Sequence, residues 1–161
     1  MARLLLVAGG CRGLELAGGL VAEGNAVRIT TRGEAGRAAI EAVGAECWVG
    51  TPDRVESLRY ALEHVSLLGV LLGTAGGDAA ALGALHGPRL RFLLSQAIDT
   101  SVRGVIYEGA GSVDAELLDV GAAIVREVCE LNSIPQRVLD TDPADRPSWL
   151  AAARGAVTEL L

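Results

Sequence analysis

Residues 4–20 read LLLVAGGCRGLELAGGL, and this stretch decides the fold. An uninterrupted apolar run leads into Gly9 and Gly10, and Gly13 opens a segment whose apolar residues recur at helical spacing. A continuous apolar run is typical of a strand buried on both faces, and spacing of three and four residues is typical of an amphipathic helix. We therefore predict a strand over residues 3–8, a glycine-rich loop, and a helix over residues 13–23.

The same alternation of apolar runs and helical patterns continues along the chain. Strands are predicted over residues 3–8, 26–32, 46–50, 67–72, 103–107 and 135–140. Helices are predicted over residues 13–23, 34–43, 53–64, 88–100, 114–131 and 147–160. Strands that are each followed by a helix favour a parallel sheet covered on both faces. We therefore predict the α/β class, with one doubly wound domain over residues 1–161.

The composition excludes several classes of function. The chain has 161 residues and a formal net charge of −6, which disfavours nucleic acid and anionic membranes as partners. All 14 basic residues are arginines, so Schiff-base chemistry and a Walker lysine are excluded. Cys11, Cys47 and Cys129 are far apart, which argues against a metal site or a disulfide framework and favours a reducing cytoplasm. No apolar run approaches the roughly 20 residues of a membrane helix, and the first is too short for a signal peptide.

The glycine-rich loop lies where a doubly wound sheet binds its ligands. Such ligands bind outside the carboxyl ends of the strands where the strand order reverses, and a helix N-terminus there binds pyrophosphate. Glycine allows left-handed torsions and a close approach of the backbone to the phosphates. Gly9, Gly10 and Gly13 therefore predict a phosphate site. The alternative is that they form only a tight turn.

The loop resembles the T-G-x-x-x-G-[IL]-G motif of the short-chain dehydrogenase/reductase superfamily. The matching residues are Ala8-Gly9-Gly10-Cys11-Arg12-Gly13-Leu14-Glu15. Ala8 replaces the threonine, and Glu15 replaces the last glycine with a charge that disfavours an approaching phosphate. The resemblance covers residues 3–112 and implies a Rossmann fold with a bound nicotinamide dinucleotide, held by the loop residues Gly9 to Leu14.

The end of the second predicted strand bears on cofactor choice. NAD-specific members of the superfamily usually have an acidic residue there, which holds the ribose hydroxyls. This chain instead has Thr31 and Arg32, with no acid before Glu34. The resemblance implies that Arg32 and Arg12 bind the 2′-phosphate of NADP(H), for which a guanidinium fork is suited. The alternative is that both arginines are solvated surface charges.

Three later segments extend the resemblance. The stretch VGTPDRVESL, residues 49–58, implies that Asp53 contacts the adenine, although Asp53 also suits the N-cap of the predicted third helix. The stretch LLGTAGG, residues 71–77, implies that Thr74, Ala75 and Gly76 line the ribose side of the cofactor. The stretch RFLLSQAIDTSVRGVIYEGAGS resembles the helix and fifth strand of the atypical, epimerase-like members.

The catalytic residues of the superfamily do not appear in this sequence. Its reductases use a tyrosine, a lysine three or four residues later and a serine after the fifth strand. This chain has Tyr60, Tyr107 and no lysine, and Ser112 comes a few residues late. We expect Tyr60 to pack within the third helix and Tyr107 to end the fifth strand. The catalytic residues are therefore unknown.

Other reactive side chains offer weaker candidates. His86, Glu108 and Asp78 are expected at the rim where a substrate would enter, where the carboxylates could orient a ligand amide. His64 is expected to end a helix, where a cation suits the helix dipole. Cys11 lies in the glycine-rich loop beside Arg12 and a helix N-terminus, surroundings that favour a reactive cysteine, and a space-filling role is the alternative.

These observations leave two principal hypotheses. The first is an NADP(H)-binding Rossmann domain of atypical superfamily type, which passes hydride to a flavin- or quinone-like acceptor without a tyrosine–lysine pair. The second is a non-catalytic module that senses the nucleotide or assembles with a partner, such as a second copy of the chain. A third reading is a chain in which Glu15 abolishes nucleotide binding. The further substrate domain of the epimerase-like members has no counterpart in these residues.

Overall fold

The computed structural model describes residues 2–8 and 10–161 and centres on one parallel sheet. Its strands are β1 (Arg3–Ala8), β2 (Ala26–Thr31), β3 (Glu46–Val49), β4 (Leu67–Leu71), β5 (Val105–Glu108) and β6 (Gln136–Leu139). The strands follow the order β3-β2-β1-β4-β5-β6. The chain therefore reverses its direction across the sheet between β1 and β4, which confirms the predicted doubly wound fold.

Helices cover both faces of the sheet. The described α-helices are α1 (Cys11–Ala22), α2 (Arg37–Ala42), α3 (Ala79–Leu85), α4 (Pro88–Ala97), α5 (Ala115–Leu131) and α6 (Arg146–Leu160). Leu5 and Val7 of β1 pack with α4 and α5, whereas Leu4 and Leu6 pack with α1 and α6. Because alternate residues of β1 enter two different cores, its apolar run needs no polar alternation. None of the described helices is long and apolar enough to cross a membrane.

The predicted third helix over residues 53–64 is wrong. Two short 3-10 turns, Val55–Leu58 and Tyr60–Leu62, occupy this segment instead. Side chains take the carbonyl groups that an α-helix would use: the Trp48 indole donates to Ser57 O at 2.8 Å, and the Arg28 guanidinium donates to Ala61 O. Because these donors come from β3 and β2, the hydrogen bonds that replace the helical ones are tertiary contacts. His64 therefore ends no helix and adopts a left-handed φ of 61°.

Helix α3, which lies between β4 and α4, is not among the helices predicted from the sequence. Asp78 caps this helix by accepting a hydrogen bond from the Ala81 N–H at 2.8 Å. An aspartate followed by an alanine-rich run is a recognisable start signal, since alanine has the highest helix propensity. With α3 in place, Asp78 is a structural cap.

A glycine allows α5 to pack closely against β5. A Cβ atom at Gly121 would overlap the hydroxyl oxygen of Tyr107, which is fully buried. By contrast, no neighbouring atom lies within 4 Å of a Cβ at Gly155, on the exposed side of α6. Both glycines lie in helices, but only Gly155 has space for a Cβ atom.

We expect Gly121→Ala to lower the free energy of unfolding by about 2–3 kcal/mol, because it overpacks the core. The matched variant Gly155→Ala should raise it by ~0.5–1 kcal/mol through helix propensity. Urea unfolding measures both. Equal effects of the two alanine substitutions would contradict this packing.

Candidate functional site

A cavity of about 530 Å³ opens at the carboxyl ends of β1, β2 and β4, where the strand order reverses. Many of its lining residues are those predicted to hold a cofactor: Gly10, Arg12, Gly13, Leu14, Thr31, Arg32, Thr74, Ala75 and Gly76. Cys11 and Asp53 are not among its lining residues, and Gly9 lies outside the described residues. The structure therefore brings together three loops that are distant in the sequence.

The loop after β1 presents an open helix N-terminus to this cavity. Gly10 has a φ of 80°, which favours glycine, and no atom lies within 4 Å of a Cβ built there. Gly10 occupies the N-cap of α1 and has no side chain to cap the helix, so it leaves the donor capacity of the first-turn N–H groups free. A Cβ at Gly13 would lie 3.2 Å from that of Ala8, so Gly13 sets how closely α1 packs on β1. A helix N-terminus that is open in this way can bind an anion.

The carboxylate of Glu15, near this end of α1, is paired with a positive charge. Its carboxylate forms an ion pair with Arg146 of α6 at 3.1 Å. Glu15 departs from the superfamily motif, and its negative charge is balanced by the positive charge of Arg146.

The guanidinium of Arg12 binds a buried carboxylate. Its Nε and Nη2 atoms donate to the two oxygens of Glu108 at 3.1 and 2.5 Å, and the Glu108 side chain is fully buried. Glu108 also accepts the Gly73 N–H at 2.7 Å. Arg12 lies over the ring of Trp149, 5.4 Å from its centroid. Arg12 therefore pairs with a charge of the protein while it also lines the cavity, and its predicted role in phosphate binding stays a prediction. The prediction that Glu108 lies at the rim is wrong, because its side chain is buried.

Arg32 and Asp53 form an ion pair beside the cavity. The Arg32 Nη1 and Asp53 Oδ2 atoms are 2.5 Å apart, and 69% of the Arg32 side chain is exposed. Burial raises the pKa of Asp53, but the hydrogen bond and charge of Arg32 outweigh it, so the pKa lies below its usual value. Asp53 caps no α-helix, which corrects the N-cap prediction.

His86 and Tyr107 form a buried pair behind the cavity. The Tyr107 hydroxyl and His86 Nδ1 are 2.6 Å apart, and His86 Nε2 lies 3.1 Å from the Leu72 carbonyl, so Nε2 carries the proton and Nδ1 accepts. Burial lowers the pKa of His86 and raises that of Tyr107. His86 is therefore a neutral core residue, and the prediction that it lies at the substrate rim is wrong.

The remaining candidates are dispersed. Tyr60 is 60% exposed beneath the Arg59 guanidinium, so it does not pack within a helix. Cys11 is exposed at the start of α1, while Cys47 and Cys129 are buried. Within the described residues, no group of three or more histidine, cysteine or acidic side chains is placed to hold a metal ion.

Comparisons with solved structures give close matches in fold at low sequence identity. The triphenylmethane reductase of Citrobacter sp., complexed with NADP(H), matches with a TM-score of 0.65 and 20% identity over 86% of this chain and 48% of that one. A short-chain dehydrogenase/reductase superfamily protein of Agrobacterium tumefaciens with bound NAD matches with a TM-score of 0.68 and 17% identity over 86% and 48%. The UDP-glucose 4-epimerase of Thermotoga maritima matches with a TM-score of 0.67 and 11% identity over 86% and 54%.

These matches show that this chain shares its Rossmann fold with those three proteins, as the sequence resemblance implies. This chain spans about half the length of those solved proteins. No protein-family description matches the sequence, and no curated protein does.

We expect Glu108→Gln to lower the free energy of unfolding by about 3 kcal/mol, because it leaves the guanidinium of Arg12 without its counter-charge. The matched variant is Glu127→Gln, which removes an exposed ion pair to Arg91 and should cost less than about 1 kcal/mol. Chemical denaturation of both variants measures the difference. Similar losses would mean that the buried pair is no more important than a surface pair.

Proposed function

We propose that the chain binds a nicotinamide dinucleotide, with NADP(H) preferred over NAD(H), in the cavity at the ends of β1, β2 and β4. The observation that carries this proposal is the open N-terminus of α1, which meets the cavity at the reversal of strand order. A pyrophosphate there accepts hydrogen bonds from first-turn N–H groups and interacts with the positive end of the helix dipole.

The residues around the cavity fit the other parts of such a ligand. Ile29, Thr31 and Thr51 line the side formed by β2 and β3, which suits an adenosine. Thr74, Ala75 and Gly76 line the side after β4, which suits the second ribose. Small residues predominate on this second side, so the ligand can approach the backbone closely.

Arg32 supports the preference for NADP(H). It directly follows β2, lines the cavity and keeps most of its side chain exposed. A guanidinium forms strong charge-assisted hydrogen bonds with a phosphate, and NADP(H) differs from NAD(H) by one phosphate on the adenosine ribose. Arg12 is engaged with Glu108, so the preference depends on Arg32.

Hydride transfer to a flavin- or quinone-like acceptor is the enzymatic form of this proposal. The bound nicotinamide would supply the hydride, since the cofactor carries the chemistry in such enzymes. The chain has no lysine, and Tyr107 is held in the core by His86. The protein would therefore orient the two partners and exclude water, and solvent would supply any proton that the reduced acceptor needs.

One observation favours the second candidate, a module that binds the nucleotide without turnover. Dinucleotides bind across both halves of a doubly wound sheet. In this chain the β5 end is covered: Glu108 binds Arg12 and the Gly73 N–H, and a Cβ at Gly111 would overlap the Gly73 carbonyl. No β5 residue is among the described residues that line the cavity. A ligand held by its adenosine half alone would suit this geometry.

Arg32→Ala tests the proposed cofactor preference. We expect the Kd for NADPH to rise about tenfold or more, because a charge-assisted bond to the 2′-phosphate is lost, while the Kd for NADH stays the same. Calorimetry measures both, with Arg137→Ala as control, since Arg137 is also exposed and ion-paired but lies on β6. Equal losses for the two nucleotides would overturn the preference.

A comparison of NADPH with adenosine 2′,5′-bisphosphate separates the two candidate functions. In an enzyme, NADPH binds more tightly than this fragment and is oxidised when menadione or a flavin is added. In a non-catalytic module, the two ligands bind equally and no oxidation follows. Binding of neither ligand by the wild-type chain would overturn both candidates.

A further inference from the structure

One carboxylate beside the cavity is shared by two guanidinium groups. Asp53 Oδ2 lies 2.5 Å from Arg32 Nη1, and Asp53 Oδ1 lies 2.9 Å from Arg89 Nη1. Arg32 comes from the end of β2 and Arg89 from the first turn of α4, 57 positions apart in the numbering. The fold thus brings a second arginine close to the one that already lines the cavity.

Asp53 is held in place by the turn that replaces the predicted third helix. Its backbone N–H donates to Thr51 Oγ1 at 3.2 Å, and the Gly50 N–H donates to the Thr31 carbonyl at 2.8 Å. The two residues that precede Asp53 in the sequence, Thr51 and Pro52, line the cavity. The turn therefore fixes the carboxylate at the edge of the cavity, behind its lining.

Arg89 is held in place from the opposite side. His86, at the end of α3, is anchored in the core by the Tyr107 hydroxyl and the Leu72 carbonyl. Three residues later, Arg89 follows Pro88 at the start of α4. Leu72, which binds His86, and Leu85, which precedes it, both line the cavity, so the segment that holds Arg89 is next to the cavity.

The cluster carries excess positive charge near solvent. Two arginines and one aspartate sum to +1, and Asp53 is the carboxylate ion-paired with each arginine among the described residues. The Arg89 side chain is 41% exposed and that of Arg32 69%. Each guanidinium has five N–H donors, so both retain donors for a further anion.

A second cluster in the chain serves as an internal comparison. Glu46 is likewise shared by Arg3 and Arg28, but none of these three residues lines the cavity. Arg28 is buried and lies over the Trp48 ring, 5.3 Å from its centroid. The Glu46 cluster therefore has a structural role. In the Asp53 cluster, by contrast, the two arginines that share the carboxylate are also exposed to solvent beside the cavity.

We infer that Arg89 is a second specificity-determining residue: with Arg32 it forms a two-arginine clamp for the phosphate monoester on the ribose of the bound nucleotide, and Asp53 positions both guanidinium groups. This inference rests on the proposed function. A phosphate monoester carries close to two negative charges at neutral pH, so it is better matched by two guanidinium groups with one shared carboxylate than by a single Arg32–Asp53 pair.

The test is the Kd of Arg89→Ala for NADPH and for NADH, measured by calorimetry. We expect a rise of about tenfold for NADPH and less than about twofold for NADH, since NADH lacks the phosphate. Arg91→Ala is the matched control, because Arg91 is two residues further along α4, is also exposed, and pairs with Glu127 of α5. Arg91→Ala should leave both constants unchanged.

The double variant Arg32→Ala/Arg89→Ala adds a second readout. If both arginines contact one phosphate, their effects on NADPH binding should be non-additive. Thermal unfolding of each variant establishes that the fold is retained, since these ion pairs are partly exposed and contribute little stability.

The outcomes separate this inference from the proposed function. If Arg32→Ala weakens NADPH selectively and Arg89→Ala does not, the clamp is wrong and the proposed preference stands. If Arg89→Ala weakens NADPH and NADH equally, Arg89 does not read the phosphate, and the clamp is again wrong. If the wild-type chain binds neither nucleotide, the proposed function fails and the clamp fails with it.

Discussion

The buried carboxylate of Glu108 is the constraint on which the arrangement of the cavity depends. It ends β5, accepts the N–H that follows β4, and receives both arms of the Arg12 guanidinium from α1. An unpaired charge at this depth would be very unfavourable, so three segments are held in one geometry. The same interaction covers the β5 end of the crevice and leaves the side formed by β1, β2 and β4 open.

This arrangement assigns different tasks to the two arginines that the sequence suggests for phosphate binding. Arg12 neutralises a charge of the protein itself, whereas Arg32 remains exposed beside the cavity. In the proposed function, recognition of the nucleotide phosphate therefore depends on the β2 side, where Asp53 also pairs with Arg89. If the covered β5 end also takes part in binding, the site would be a complete redox site. If only the open side formed by β1, β2 and β4 takes part, the site would hold mainly the adenosine portion.

Most of the fold could be predicted from the sequence, because its signals are local. The apolar run of β1, the glycines after it and the capped helices depend on neighbouring residues. The segment over residues 53–64 could not be predicted, since its helix is prevented by Trp48 and Arg28 from other strands. Apolar residues that recur every three positions suit a 3-10 turn as well as an α-helix.

The site was harder to predict than the fold for a related reason. The glycine loop and the residues after β4 lie at fixed places in such sheets, so their positions follow from topology. The partners of Arg12 and Arg89 do not, because Glu108 and Asp53 are 96 and 36 residues away from them. The burial of His86 and Tyr107 likewise appears only when α3 and α5 are packed.

The stacking of Arg12 on Trp149 has an optical consequence. Trp149 is fully buried, and the positive charge of the Arg12 guanidinium lies over its ring. Trp48, the other indole, senses Arg28 near the opposite edge of the sheet. The emission of Trp149 should therefore report on the start of α1, and that of Trp48 on the β2 and β3 side of the cavity.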